Sequence, residues 1–258
     1  MSKTKLMKGD CLSLLKKIPS KSVNLILCDL PYGTTALRWD SVIPIEPLWE
    51  EYNRIISSRG IIALFGTQPF TSFLICSNFS MYRYNWVWEK NKSSNFQLAK
   101  VQPLKITEDI CIFSHGKSAN GALKKAIYYP RKTKKDKPSW GGKKQSNPSN
   151  PKSNLLNANS MSGTGKWYTH SYPQNVLRFP IPSNKNRFHP VQKPVPLLEY
   201  LIKTYTRKGQ TVLDNCMGSG STGVAAVNTS RDFIGMEKNT EYFNVAKKRI
   251  SNAKKQKR

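Results

Sequence analysis

Residues 29–32, Asp-Leu-Pro-Tyr, combine groups that could hold a planar amine. They follow residues 23–28 (VNLILC), which have the length and the branched apolar composition of a buried parallel strand. The tetrapeptide is therefore expected at the carboxyl end of that strand, where ligands bind in open α/β sheets. Asp29 supplies acceptors, Pro31 removes a backbone donor, and Tyr32 offers a flat face. Acceptors beside a stacking ring suit adenine or cytosine, although a strand-to-turn junction with a core tyrosine would use the same residues.

A second polar loop, residues 214–223 (DNCMGSGSTG), follows a short predicted strand. Its glycines at 218 and 220 would let the backbone approach a ligand closely. The next predicted strand ends at Glu237, where an acid can bind the hydroxyl pair of a ribose. Strand, glycine loop, helix, strand and acid in this order indicate a nucleoside site. Because Asp214 would repel a pyrophosphate but attract a sulfonium or an α-ammonium group, S-adenosylmethionine is favoured over a dinucleotide.

An alternation of strands and helices surrounds both loops. Gly9 and Asp10 are expected to form a turn in which Asp10 caps a short helix. Apolar residues three and four apart predict an amphipathic helix over residues 45–56, which Gly60 should end before a strand over 61–65. Further strands are predicted over residues 82–88, 108–113, 211–213 and 233–236, and further helices over 70–75, 195–205 and 242–250.

The chain has 258 residues, with 42 lysines and arginines against 15 acids, and a formal net charge of +27. Such an excess indicates a polyanionic partner, which is either nucleic acid or an anionic membrane surface. No apolar run has the length of a membrane-spanning helix, and the first residues lack an apolar segment of signal-peptide length. The five cysteines are odd in number and form no CxxC pair, so we predict a reduced, cytoplasmic protein without disulfides or a metal site.

The composition changes between residues 117 and 166. This stretch holds twelve lysines and arginines against one acid, Asp136, and is rich in Asn, Ser, Gly and Pro. Hydrophobic periodicity is absent, so we predict a loop or a disordered segment in the free protein. Aromatic residues, among them Trp140 and Trp167, alternate with the basic ones, which suits a nucleic-acid-binding element. A solvated loop without a binding role would also explain the lysines.

Three motifs together resemble those of the DNA amino-methyltransferases, which methylate the exocyclic amine of adenine or cytosine. Residues 29–32 look like the catalytic motif, residues 214–222 like the cofactor loop, and residues 189–194 (HPVQKP) like the segment before this loop. The catalytic motif comes first, as in the permuted beta subgroup. The resemblance covers about residues 6–116 and 180–250, and it implies a Rossmann-like α/β fold with a mostly parallel, doubly wound sheet.

The resemblance divides the chain into a catalytic half (1–116), a basic target-recognition insert (117–180) and an S-adenosylmethionine-binding half (181–258). Catalytic roles are implied for Asp29, Leu30, Pro31 and Tyr32. Cofactor binding is implied for Asp10, Cys11, His189, Gln192, Lys193, Pro194, Asp214, Cys216, Gly218, Ser219, Gly220, Thr222 and Glu237. DNA binding is expected, from side-chain chemistry, for Arg131, Lys132, Lys134, Lys135, Gln145, Asn147 and Arg178. The chain departs from the family pattern at Leu30, usually proline, and at Asn215 and Cys216, usually proline and phenylalanine.

The implied reaction moves a methyl group to the amine of a base flipped out of duplex DNA. Tyr32 would stack on the base, while the Asp29 carboxylate and the Leu30 carbonyl accept hydrogen bonds from the amine. An aspartate at position 29 resembles the adenine enzymes more than the serine of cytosine-amine enzymes. The alternatives are a cytosine-N4 methyltransferase, an RNA methyltransferase and an inactive DNA-binding relative. A homodimer and a cognate restriction endonuclease are partners that the sequence leaves open.

Overall fold

The computed structural model describes residues 2–33, 41–93, 95–141, 166–183, 188 and 191–257. The chain forms two compact units, one from Met1–Tyr129 with Asn175–Arg258 and one from Pro130–Gln174. Residues 117–129 and 175–180, the two ends of the predicted insert over 117–180, belong to the first unit. Within the described ranges, no helix has the length and apolar character needed to cross a membrane.

The described part of the chain contains ten strands and six α-helices, which alternate along much of the sequence. The strands are β1 (Thr4–Lys8), β2 (Val23–Cys28), β3 (Ile56–Gly66), β4 (Tyr82–Glu89), β5 (Thr107–Phe113), β6 (Thr133–Gly141), β7 (Lys166–Ser171), β8 (Val176–Arg178), β9 (Thr211–Asp214) and β10 (Asp232–Glu237). The helices are α1 (Cys11–Leu15), α2 (Ile45–Ile55), α3 (Phe70–Ser77), α4 (Val195–Tyr205), α5 (Ser221–Asn228) and α6 (Thr240–Gln256).

Eight of these strands form one sheet in the first unit, in the order β1-β10-β9-β2-β3-β5-β4-β8. The first five strands in this order are parallel to one another. Strand β5 runs antiparallel to both β3 and β4, and β8 is parallel to β4. The predicted Rossmann-like fold with a mostly parallel sheet is therefore confirmed.

Strand β2 shows why its sequence is apolar without interruption. Its side chains alternate between two hydrophobic clusters, because successive residues of a strand point to opposite faces of the sheet. Leu25 and Leu27 pack in a cluster with residues of α4, α5 and α6, whereas Ile26 and Cys28 pack with residues of α1, α2 and α3. Both faces of the sheet are thus covered by helices, as expected for a doubly wound architecture.

The predicted boundary between α2 and the following strand is wrong. The helix ends at Ile55, and β3 begins directly at Ile56 instead of after Gly60. The pairing with β2 shifts between Val23 and Leu25, so the polar residues before Ile61 are accommodated in an irregularity of the strand. At Gly60 a Cβ atom would lie 2.9 Å from the backbone oxygen of Asn24, so this glycine permits close backbone approach within the sheet.

The prediction of a loop or disordered segment over 117–166 is wrong where β6 lies. Strands β6 and β7 pair as an antiparallel ladder, with Thr133 opposite Ser171 and Trp140 opposite Trp167. Most described side chains of these two strands are exposed. The pairing of the two strands therefore rests largely on backbone hydrogen bonds, and this exposure explains why their sequence lacks the apolar alternation of a typical strand.

Two glycines with left-handed backbones allow a matched test of packing around α5. Gly209 has a φ of 78° with open space around it, whereas Gly220 has a φ of 80° and an added Cβ would lie 2.8 Å from the Cβ of Ala246. We expect Gly209→Ala to lower the free energy of unfolding by about 1 kcal/mol through backbone strain alone. Gly220→Ala should lower it by about 2–4 kcal/mol, because overpacking against α6 adds to the same strain. Urea denaturation of both variants measures the difference, and equal losses would contradict the packing.

Candidate active site

Three acids lie at the carboxyl ends of the adjacent strands β10, β9 and β2. Glu237 ends β10, Asp214 ends β9, and Asp29 directly follows β2. All three line one cavity of about 1000 Å³ in the first unit. Because carboxyl ends of neighbouring parallel strands meet at one edge of a sheet, residues distant in sequence converge here.

The Asp29 carboxylate has a separate partner for each of its oxygens. The Tyr32 hydroxyl donates to Oδ1 at 2.6 Å, and the Lys193 ammonium donates to Oδ2 at 2.6 Å. The side chain is 21% exposed. Burial raises the pKa of the Asp29 carboxyl, and the charge of Lys193 opposes this effect. The acid is thus a polarised acceptor whose charged form depends on the lysine.

Lys193 lies between two carboxylates and is only 8% exposed. Besides Asp29 it contacts Glu108, with 3.1 Å between Nζ and Oε2, and Lys90 binds the other oxygen of Glu108 at 2.6 Å. Burial alone would lower the pKa of Lys193, but the two carboxylates raise it above its ordinary value. The sequence predicted that Lys193 binds the cofactor; in the structure Lys193 lines the cavity, and its ammonium group pairs with Asp29 of the catalytic motif. Sequence reasoning missed Glu108 and Lys90, whose only signal is a pair of charges flanking the apolar stretches of β4 and β5.

The other residues of the catalytic motif anchor it to the core. Leu30 is buried among the residues that cover the α1–α3 face of the sheet. The ring of Tyr32 packs against Phe70, with 4.8 Å between the centroids. Asp29, Leu30 and Tyr32 line the cavity, while Pro31 is half-buried and lies outside its lining.

Asp214 is a buried carboxyl whose hydrogen bonds come from uncharged groups. It is 4% exposed, and the backbone N–H of Cys216 donates to its Oδ1 at 3.1 Å. Burial raises the pKa of Asp214 to about 7, although hydrogen bonds from Thr222 and from the Cys216 backbone pull it down. No ion pair involves Asp214 among the residues that the structure describes. A buried acid of this kind is suited to a cationic ligand group.

Glu237 and the neighbouring loop are held by backbone amides. The Gly218 N–H donates to Oε2 of Glu237 at 2.9 Å, and the Asn239 N–H donates to Oε1 at 2.7 Å. Asn215, which replaces the proline usual in the resembling family, accepts a hydrogen bond of 2.5 Å from the buried Tyr52 hydroxyl. This hydrogen bond ties the loop to α2.

Most of the predicted cofactor residues come together around this cavity. Its lining includes Asp10, Cys11, Gln192, Lys193, Asp214, Cys216, Gly218, Ser219, Thr222 and Glu237. Asp10 also caps α1 by accepting from the Ser13 N–H at 3.1 Å, so the predicted N-cap is confirmed. Pro194 caps α4 and Gly220 caps α5, and neither belongs to the lining. His189 lies outside the described residues.

The predicted DNA-binding residues fall into three groups. Those of the hairpin unit are Arg131, Lys132, Lys134 and Lys135, and the first three are exposed. Arg178 belongs to the first unit, where it lies on β8, is 72% exposed and pairs with Glu89 at 3.1 Å. Gln145 and Asn147 lie outside the described residues.

Comparison with known proteins identifies the family. Residues 23–248 match the family model N6_N4_Mtase, described as DNA methylase. The DNA adenine methyltransferase YhdJ of Escherichia coli K12 is 29% identical over 94% of this chain and 81% of its own length.

Two solved structures share the fold. The M1.HpyAVI–SAM complex is 23% identical, with a TM-score of 0.61 over 95% of this chain and 99% of its own. The cytosine-N4-specific PvuII DNA methyltransferase is 15% identical, with a TM-score of 0.66 over 99% of this chain and 93% of its own. The predicted family resemblance is confirmed by the family model, and the chain belongs to the N6/N4 family of DNA methylases, whose methyl donor is S-adenosylmethionine.

Proposed function

We propose that this chain methylates the exocyclic N6 amine of adenine in duplex DNA, as a cytoplasmic, site-specific methyltransferase. The observation that carries the proposal is the Asp29 carboxylate, which lines the same cavity as Tyr32 and the acids Asp214 and Glu237. An acceptor, an aromatic ring and a nucleoside site in one cavity supply what transfer to an amine requires. The family membership and the resemblance to YhdJ support the same reaction.

The cofactor fits the polar residues at the ends of β9 and β10. Asp214 is a buried acid that forms no ion pair with any described residue. It therefore suits the α-ammonium group of S-adenosylmethionine. Glu237 stands at the tip of β10, where an acid can bind the ribose hydroxyls. Gly218 has a φ of 49° and lines the cavity, so the backbone can approach a ligand there without a side chain in the way.

Asp29 and Tyr32 would act on the target base. Tyr32 stacks on the flipped base, and the Asp29 carboxylate and the Leu30 carbonyl accept hydrogen bonds from the amine. These bonds direct the nitrogen lone pair out of conjugation with the ring. Bound S-adenosylmethionine would supply an electrophilic methyl group. Transfer would form the N–C bond as the S–C bond breaks, and the nitrogen would release one proton to water. Positioning and electrostatics provide the rate enhancement without a covalent enzyme intermediate.

Cytosine N4 is the second candidate for the methylated amine. The PvuII methyltransferase, which is cytosine-N4-specific by name, superimposes on this chain with a TM-score of 0.66. The aspartate at position 29 supports adenine instead, because the resembling cytosine-amine enzymes typically carry serine there. The amino groups of adenine and cytosine present the same donors to Asp29, so the rest of the base pocket must distinguish them.

We propose that the segment 117–180 recognises the DNA site. Its lysines and arginines supply the phosphate contacts, and Arg131, Gln145, Asn147 and Arg178 are the side chains suited to base edges. Most described side chains of β6 and β7 are exposed, which suits an element that contacts a polar partner.

The catalytic roles can be tested with three variants. We expect Asp29→Ala and Tyr32→Ala to lower methyl transfer to duplex DNA by at least about 100-fold, because the amine loses its acceptor or the base its stacking partner. Tyr32→Phe retains the ring and should keep turnover within about threefold of the wild-type value. Binding of S-adenosylmethionine, measured by calorimetry, should stay near normal in all three variants. Near-normal turnover by Asp29→Ala would refute the proposed role.

The cofactor site predicts a pH dependence. Only the ionised form of Asp214 attracts an ammonium group, and its pKa is raised to about 7 in the free protein. Affinity for S-adenosylmethionine should therefore rise with pH, by roughly fivefold from pH 6 to pH 7, with release of a proton on binding. Asp214→Asn should bind more weakly and without this rise, and Glu237→Gln should bind more weakly but retain it. Calorimetry at both pH values measures these affinities, and unchanged binding in both variants would refute the placement.

The insert predicts how DNA affinity responds to salt. Replacing Lys132, Lys134, Lys135 and Lys137 together by Gln should weaken binding to all DNA sequences and reduce the slope of log affinity against log salt by about 3–4. The matched control replaces Lys247, Lys248, Lys254 and Lys255 of α6, which removes equal charge and should change the slope less.

Exchanging residues 117–180 for the segment of a relative with another site should move the methylated site with it. A site that stays unchanged would place recognition elsewhere.

A further inference from the structure

Asp29 of the catalytic motif belongs to a buried charge network of four side chains, which are Asp29, Lys193, Glu108 and Lys90. Asp29 pairs with Lys193 at 2.6 Å, Lys193 with Glu108 at 3.1 Å, and Glu108 with Lys90 at 2.6 Å. Lys90 and Glu108 are 7% and 14% exposed, so the charge network is largely shielded from solvent. All four residues line the cavity.

The charges of the network balance only when all four residues are present. Two carboxylates and two ammonium groups alternate, so each buried charge has a counter-charge beside it. Removing one member of a buried pair leaves an uncompensated charge, which is strongly unfavourable. Without Lys193, the carboxylates of Asp29 and Glu108 would face each other with only Lys90 to neutralise them. An arrangement of this kind ties the charge of Asp29 to a residue of another segment.

We propose that Lys193 is a positioning residue that keeps the Asp29 carboxylate ionised and occupies its Oδ2, so that Oδ1 is left for the target amine. In the free protein, Oδ1 accepts from the Tyr32 hydroxyl at 2.6 Å, and the amine would replace this donor. Glu108, itself held by Lys90, fixes Lys193 from the other side. This inference rests on the proposed catalytic role of Asp29 and adds the groups that sustain it.

Several groups set the ionisation of Asp29. Those that face it are Lys193 before α4, Glu108 on β5, Tyr32 on its own segment, Cys28 on β2 and Asp214 on β9. Burial and Glu108 raise the pKa of Asp29, whereas Lys193 and the Tyr32 hydroxyl lower it. Loss of Lys193 therefore shifts the pKa of Asp29 further upward, and a protonated Asp29 oxygen would no longer accept from the amine.

Lys193→Met tests this inference because methionine retains much of the lysine's length without its charge. We expect kcat at pH 7 to fall at least tenfold and to recover as pH rises, with the acid limb of the kcat profile moved up by at least one pH unit. Affinity for S-adenosylmethionine and KM for DNA should stay within about threefold. The matched control is Lys203→Met on α4, which removes a partly exposed ion pair with Glu199 and should leave kcat and the profile unchanged.

Glu108→Gln provides a second test with the opposite sign, and it stands even if Lys193→Met does not fold. Removal of the second carboxylate takes away repulsion on Asp29, so the acid limb should move to lower pH. In the double variant Lys193→Met with Glu108→Gln, the limb should lie below that of Lys193→Met alone. A role in folding alone predicts neither shift.

Three results would overturn the inference. The first is a folded Lys193→Met with unchanged kcat and acid limb, while Asp29→Ala is inactive; the proposed function would then stand without it. The second is a loss of S-adenosylmethionine affinity with normal kcat at saturation, which would return Lys193 to the cofactor site. The third is an acid limb of Glu108→Gln that stays in place or moves upward. Activity of Asp29→Ala, in contrast, would defeat the proposed function itself.

Discussion

The backbone pairing of β2 with β9 is the interaction on which the site depends. Leu25 lies opposite Val212 and Ile26 opposite Leu213, so two segments far apart in the sequence become neighbouring parallel strands. Their carboxyl ends then share one edge of the sheet, which places the acceptor of the proposed reaction beside the acid proposed for the cofactor. Strand β10 continues the same edge and adds a third acid. Permuted chain order is no obstacle, because the sheet joins the halves through hydrogen bonds rather than through sequence.

The strands around this junction could be predicted because both faces of the sheet are covered. A strand buried on two sides needs a continuous apolar run, and the polar residue that ends the run marks its carboxyl end. Asp29, Asp214 and Glu237 were located in this way. The helices followed from apolar residues at steps of three and four, since each packs one face against the sheet. Prediction from apolar patterns fails for β6 and β7, because most of their described side chains are exposed.

The buried charge network could not be predicted, because it joins segments far apart in the sequence, and Glu108 and Lys90 meet through the antiparallel pairing of β4 with β5. Glu108 reaches Lys193 because β5 inserts between β3 and β4, and no local pattern specifies that order. Lys193 itself precedes α4 and appears in the sequence only as part of a motif. The residues that Lys193 pairs with depend on where α4 packs in the folded protein. Charges in such surroundings are costly unless paired, so the four charged residues constrain one another.

Analysis of the methylated nucleoside tests the central claim most directly. Purified protein is incubated with isotopically labelled S-adenosylmethionine and unmethylated duplex DNA, the DNA is digested to nucleosides, and the labelled product is identified by mass spectrometry. The account predicts N6-methyladenine as the labelled base, with RNA of the same sequence unlabelled. Label in N4-methylcytosine, or label in RNA but not in DNA, would contradict it.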